Sequence, residues 1–259
     1  MHKMLGTKHI ILLIISAVLI IALYLLSRKL KHQTLCKILF GLAIVCEIIK
    51  TFFYISNNES SHNGILPKTD LPFQLCSIQL IFIAIVLFTK KESVKRLILS
   101  FMLPSCLFGG IAAIAIPAYS SLNHWIITIQ YFSYHIGLIV FALHLFKCKE
   151  YKWTAKDFVN CLIFLVCILF FAIYINSIVD DGSHTVNFMY VVAPPQDGLP
   201  YLNKDQGWLA YMLKYASLVI VCVSLCYIKP IITWFKSKSK KSTIVNENQE
   251  TENTDKKEN

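Results

Sequence analysis

Apolar residues in this chain come in long unbroken runs separated by short polar segments. Seven runs fall in the range of about 17 to 25 helical residues that crosses a hydrocarbon core. They lie at roughly His9–Leu26, Leu35–Ile55, Pro72–Phe88, Leu97–Ala118, His124–Phe146, Phe158–Val179 and Trp208–Ile228. Lipid offers the backbone no hydrogen-bond partner, and the runs lack the apolar-polar alternation of barrel strands, so each is predicted to be a helix. The pattern thus predicts an all-α fold, a polytopic membrane bundle of seven transmembrane helices. Arg28, Lys29 and Lys31 follow the first run directly and no small-residue cleavage site intervenes, so that run is read as a retained helix and not a signal peptide.

The polar segments orient the bundle. Lysine and arginine gather after the first run (Arg28, Lys29, Lys31, Lys37), the third (Lys90, Lys91, Lys95, Arg96), the fifth (Lys147, Lys149, Lys152, Lys156) and the seventh (Lys229, Lys236, Lys238, Lys240, Lys241). The alternate segments hold almost none, so the basic side is expected in the cytoplasm, with the N-terminus outside and the C-terminus inside. Topology accounts for the net charge of +10, and no nucleic-acid partner is inferred. The expected setting is the cell membrane, multi-pass, with membrane lipids as partners and no obligate protein partner. Residues 1–236 read as one seven-helix domain. Ser237–Asn259, nearly devoid of apolar residues, is expected to be a disordered cytoplasmic tail.

The nine cysteines include no C-x-x-C pair, and none falls in the segments predicted to face outward. No disulfide framework, zinc site or cofactor is expected from that spacing. The histidines are scattered, and only His124, His135 and His184 share a predicted side; His144 is expected to reach towards the interface. Pro104, Gly109, Gly110 and Pro117 make the fourth run irregular, which fits either a kinked packing helix or a hinge.

Depth along the runs changes the picture most. Glu47 and Lys50 lie near the outer end of the second run and three residues apart, on one face. Cys76 and Gln79 share a face near the start of the third run, Tyr131 and His135 share one on the fifth, and Asn176 ends the sixth. Strongly polar positions therefore converge on the outer half, where the default reading is a functional pocket. Each has a plainer reading as well. Glu47 and Lys50 also suit a structural ion pair, Gln74 and Gln79 suit interhelical hydrogen bonds, and His135 and Cys76 suit a packed core. The long segment Asp180–Asn203, with paired prolines and Asp-Gly steps, is expected to form an ordered cap.

Three motifs resemble a known family. LPFQLCSIQL resembles the LPxxLCS segment of YwaF-type bacterial integral membrane proteins, QYFSYHIGLIV resembles their histidine-bearing fifth span, and NSIVDDGSHTVNFMYVVAPP resembles their sixth-span end and following loop. That family is similar to an animal multi-pass acyltransferase of ether phospholipids, in which a cysteine and a histidine on separate helices carry an acyl-enzyme mechanism. The resemblance implies Cys76 as nucleophile and His135 as base; for that chemistry Gln79 or Asn187 is the expected oxyanion donor.

A thiol needs a neighbouring base or charge to become a nucleophile, and a histidine on a facing helix supplies one. A helical count nevertheless sets Cys76 about 6 Å and His135 about 16 Å below the outer boundary, an offset of about 10 Å if both helices start level. The expected function is a thiol-dependent lipid acyltransferase or acyl hydrolase. A small-solute transporter and a ligand-sensing membrane module without catalysis are the alternatives.

Overall fold

The computed structural model describes residues 6–237 except 57–65, 118, 149, 181, 183–185, 196–198, 200, 204 and 206. Regular structure among the described residues is entirely helical. In order the helices are α1 (Thr7–Ser27), α2 (His32–Ser56), α3 (Leu75–Phe88), α4 (Glu92–Ala115), α5 (Trp125–Lys147), α6 (Ala155–Val179) and α7 (Trp208–Cys226). After a break at Tyr227 the chain is helical again from 228 to 237. Among the described residues six helices are long and apolar enough to cross a membrane; α3, with 14 residues, is shorter. Its length of about 21 Å falls below the roughly 30 Å of a hydrocarbon core.

The expected third span thus begins at Leu75 instead of Pro72. Residues 71–74 form turns and bends, and Gln74 caps α3 in an extended conformation. The tail expected to be disordered lies, apart from the helical Ser237, outside the described residues.

Helix α5 is the hub. It packs on α1, α2 and most extensively on α4, while α3 bridges α2 and α4, and α6 joins α4 and α7. Gly110 makes the α4–α5 approach close, because a Cβ there would lie 3.2 Å from the His135 carbonyl oxygen and 2.7 Å from Ile139 Cγ1. Gly137 of α5 does the same towards α2, where a Cβ would meet Leu42 Cδ2 at 2.5 Å. Small residues at such points let helix backbones pack tightly without an intervening side chain.

Lateral contacts define two ends. At the basic end, Arg96 at the start of α4 grips Asp157 of α6 with two hydrogen bonds of 2.7 and 2.6 Å and also donates to the Lys152 carbonyl at 2.7 Å. Asp157 caps its own helix by accepting from the Thr154 backbone and hydroxyl, so one buried carboxylate serves both a helix start and an interhelical pair. At the opposite, long-loop end, Lys8 donates to the Leu122 carbonyl at 2.6 Å and His9 to that of Ile114 at 3.0 Å.

Pro104 sits inside α4 and has no N–H to give the carbonyl of Ser100 one turn earlier. Tyr227, fully buried just past α7, fills that role, its hydroxyl donating to Ser100 O at 2.8 Å. The irregularity is therefore an anchored packing contact between α4 and the end of α7.

Candidate functional site

The start of α3 explains the position of Cys76. With α3 beginning at Leu75, Cys76 occupies the first turn, where backbone N–H groups have no partner one turn back. Its sulfur lies beside Ser77 and within reach of the Lys50 charge on α2. Lys50 in turn pairs with Glu47 at 2.8 Å, as their spacing predicts. A helix N-terminus and an ammonium are the surroundings that suit a reactive thiol.

From the other side comes α5. The Tyr134 hydroxyl donates to the Cys76 carbonyl at 2.7 Å, which brings the first turn of α3 level with the third turn of α5. Two straight helices starting together would not meet in that register. His135, adjacent to Tyr134, is 2% exposed and stacks on Tyr131 with ring centroids 4.2 Å apart. Its Nδ1 lies 2.7 Å from the Tyr131 carbonyl oxygen. A carbonyl can only accept, so Nδ1 carries the proton and Nε2 keeps a lone pair. Tyr131 reaches on to α4, donating to Ala113 O at 3.1 Å.

The amides at this end are engaged in holding the fold. Gln79, 1% exposed, donates to Leu75 O and Ser105 Oγ at 3.1 Å each and accepts from the Cys106 thiol at 3.5 Å. Both of its amide protons are therefore committed, one within α3 and one across to α4. Asn176 of α6 donates to the Ala172 and Phe188 carbonyls and accepts from the Phe188 N–H. Asn187 accepts from the N–H groups of Val192 and Ala193 and donates to Ala193 O at 2.9 Å. Gln74 donates to Asn187 O at 3.3 Å and accepts from the Met189 N–H at 2.9 Å, fastening the loop to the start of α3.

Between these anchors Met189 and Tyr190 adopt positive φ values of 55° and 54°. Two adjacent non-glycine residues in the left-handed region are costly, and they persist where surrounding contacts over-determine them. Tyr215 donates to Met189 O at 3.2 Å and Tyr211 to Tyr190 O. The turn brings Tyr190 within electrostatic reach of Cys76. Sequence reasoning missed Ser77, Cys106 and Tyr190 as neighbours of Cys76. Beside the loop, Asn176, Asp180, Val191 and Trp208 help line a cleft of about 290 Å³.

The histidines gather elsewhere than expected. His184 lies outside the described residues, and His124 packs on Phe53 with ring centroids 5.0 Å apart. His144 does not reach to the interface: it is 7% exposed and stacks on His32 at the basic end, because its face of α5 turns towards α2. Tyr151 closes over His32 in an edge contact, and burial, with Glu92 and Glu150 nearby, pushes its phenol up to about 12.

Fold and burial define a polytopic helical membrane protein with its polar groups drawn to the two ends of a central helix pair, its outer helices in contact with lipid. The chain matches the TMEM164 family over residues 4–227 and belongs to that family. No curated protein and no solved structure matches it.

Proposed function

We propose that this protein is a thiol-dependent enzyme of membrane lipids, an acyltransferase or acyl hydrolase. In this reading it lies in the cell membrane with the long-loop end outward, the basic end and the C-terminus in the cytoplasm, and α3 counted as a seventh span. The distribution of lysine and arginine supports the orientation. The likeness to YwaF-type proteins and to the animal acyltransferase supports the activity. The observation that carries the reading is the 2.7 Å bond from Tyr134 to the Cys76 carbonyl, which joins the cysteine-bearing turn to the residue beside His135.

The chemistry follows from groups in that neighbourhood. His135, with its proton on Nδ1, takes the thiol proton of Cys76 at Nε2. The sulfur attacks the carbonyl carbon of a lipid acyl ester, forming a C–S bond as the C–O bond breaks. The imidazolium returns the proton to the departing lipid oxygen. A second lipid hydroxyl, or water, then gives its proton to His135 and attacks the thioester; its oxygen bonds to the acyl carbon as the C–S bond breaks, and the imidazolium returns the proton to the sulfur. Free N–H groups at the start of α3 and the Lys50 ammonium suit the negative charge that develops. Glu47 holds Lys50. Gln79, Tyr131, Asn176 and Asn187 hold the surrounding walls, and Asn187 keeps one amide proton for a ligand.

Purified full-length protein in mixed micelles with a phospholipid carrying an alkynyl acyl chain tests the proposal. Acid quenching should leave a hydroxylamine-sensitive acyl label on the wild type and none on Cys76→Ala at matched thermal stability. His135→Ala should slow labelling by roughly 10²- to 10⁴-fold. Equal labelling of wild type and Cys76→Ala would overturn the assignment of the nucleophile.

A further inference from the structure

The basic end holds a second group of reactive side chains, independent of the chemistry proposed at Cys76. His32 opens α2 and His144 stands in the last turn of α5, their ring centroids 6.0 Å apart. Cys148 caps α5, and one ring nitrogen from each histidine and the Cys148 sulfur all lie within 4.8 Å of one another. Cys36, one turn along α2 and 1% exposed, brings its sulfur to 3.4 Å from His32 Nε2. The four residues are two copies of one spacing, His32-x-x-x-Cys36 and His144-x-x-x-Cys148. An interval of four places both members of a pair on the same side of a helix.

A separate observation points to a missing partner. His32 is 6% exposed, and its Nδ1 is buried with no hydrogen-bond partner. Buried ring nitrogens are ordinarily satisfied. Around it stand a second imidazole and two thiols, the donors that a tetrahedral zinc ion takes.

We propose that His32, Cys36, His144 and Cys148 form a zinc(II) site that clamps the start of α2 to the end of α5. Bond lengths of about 2.0 Å to nitrogen and 2.3 Å to sulfur put tetrahedral ligand atoms roughly 3.3 to 3.8 Å apart, so the His32, His144 and Cys148 atoms close by small movements while Cys36, outside that group, turns in from beside His32. The backbone of Ser27 lies beside His144, where it can orient the ring and leave the other nitrogen for the ion. Glu150 brings a carboxylate near Cys36, His144 and Cys148, and the partly exposed Cys148 offers a way in. On binding, each thiol gives its proton to solvent as its Zn–S bond forms, and no redox change occurs.

Cobalt(II) is the probe: full-length protein, chelator-stripped in detergent, is titrated with it and then with zinc. The expected result is one cobalt per chain with thiolate-to-cobalt charge transfer and tetrahedral d–d bands, both abolished by zinc. Absence of a thiolate charge-transfer band in the wild type overturns the site whatever the variants do. His32→Ala and Cys148→Ser should each weaken binding by at least the roughly 10- to 100-fold that losing an outer hydrogen-bond partner costs. Cys167→Ser, on an exposed stretch of α6, and Cys76→Ala should bind as wild type, so the result is separable from that of the acyl-transfer test. A spectrum unchanged in the double variant His144→Ala/Cys148→Ser also overturns the site.

Discussion

Helices α1 and α5 are both apolar enough to cross a membrane, yet only 11% of the most apolar stretch of α1 is buried, against 61% for α5. The three buried residues of α1 are all polar: His9, Ser16 and Ser27. Its isoleucines, leucines and valines largely face outward. Helix α5 buries Thr128, Tyr134, His135 and His144 together with its core leucines and isoleucines. In water the most apolar face would turn inward; here lipid takes it, and the interior is where polar groups find partners. The central helices therefore hold the buried polar side chains, and the outer ones are shaped for their solvent.

That contrast can be broken by comparing unfolding free energies of purified variants in mixed micelles. Arg96→Ala should cost most, about 3 kcal/mol, because it leaves the buried Asp157 carboxylate uncompensated; the figure is the low end of the range because Arg96 keeps some solvent contact. Gly110→Val should cost about 2 kcal/mol by forcing α4 away from α5. It should also slow acyl labelling by displacing His135, while Gly41→Val, with nothing within 4 Å of an added Cβ, should leave both unchanged. Tyr227→Phe should cost about 1 kcal/mol by orphaning the Ser100 carbonyl. Ile14→Ala, at a position 60% exposed to lipid, should stay within about 0.5 kcal/mol. If Ile14→Ala matched Gly110→Val, the division into inner and outer helices would fail.

Helix positions were legible in the sequence because run length and hydropathy are what a bilayer selects. The start of α3 was not, because Gln74 is drawn to Asn187 and Met189, more than a hundred residues away. Depth made the level of the polar residues at the long-loop end legible but not the second gathering at the basic end, where His32, His144 and Asp157 are buried. The tasks of the first group were not legible: Gln79, Asn176 and Asn187 direct their amides into fixed backbone and side-chain contacts, which no count along a helix reveals. His144 shows the same limit. Its level was readable from the sequence, but the rotation of α5 that turns it onto His32 comes from packing. A search for C-x-x-C spacing likewise passes over the two His-x-x-x-Cys pairs proposed as zinc ligands, which come from helices far apart in the chain.

The link between Pro104 and Tyr227 bears on how this family can vary. A chain that replaces the proline regains an N–H for the Ser100 carbonyl, whose two lone pairs can accept from it and from the hydroxyl at 227 together. A chain that loses the hydroxyl first leaves that carbonyl stranded. The proline step is therefore the one to come first, and a phenylalanine at 227 is expected only where residue 104 is no longer proline across diverged members.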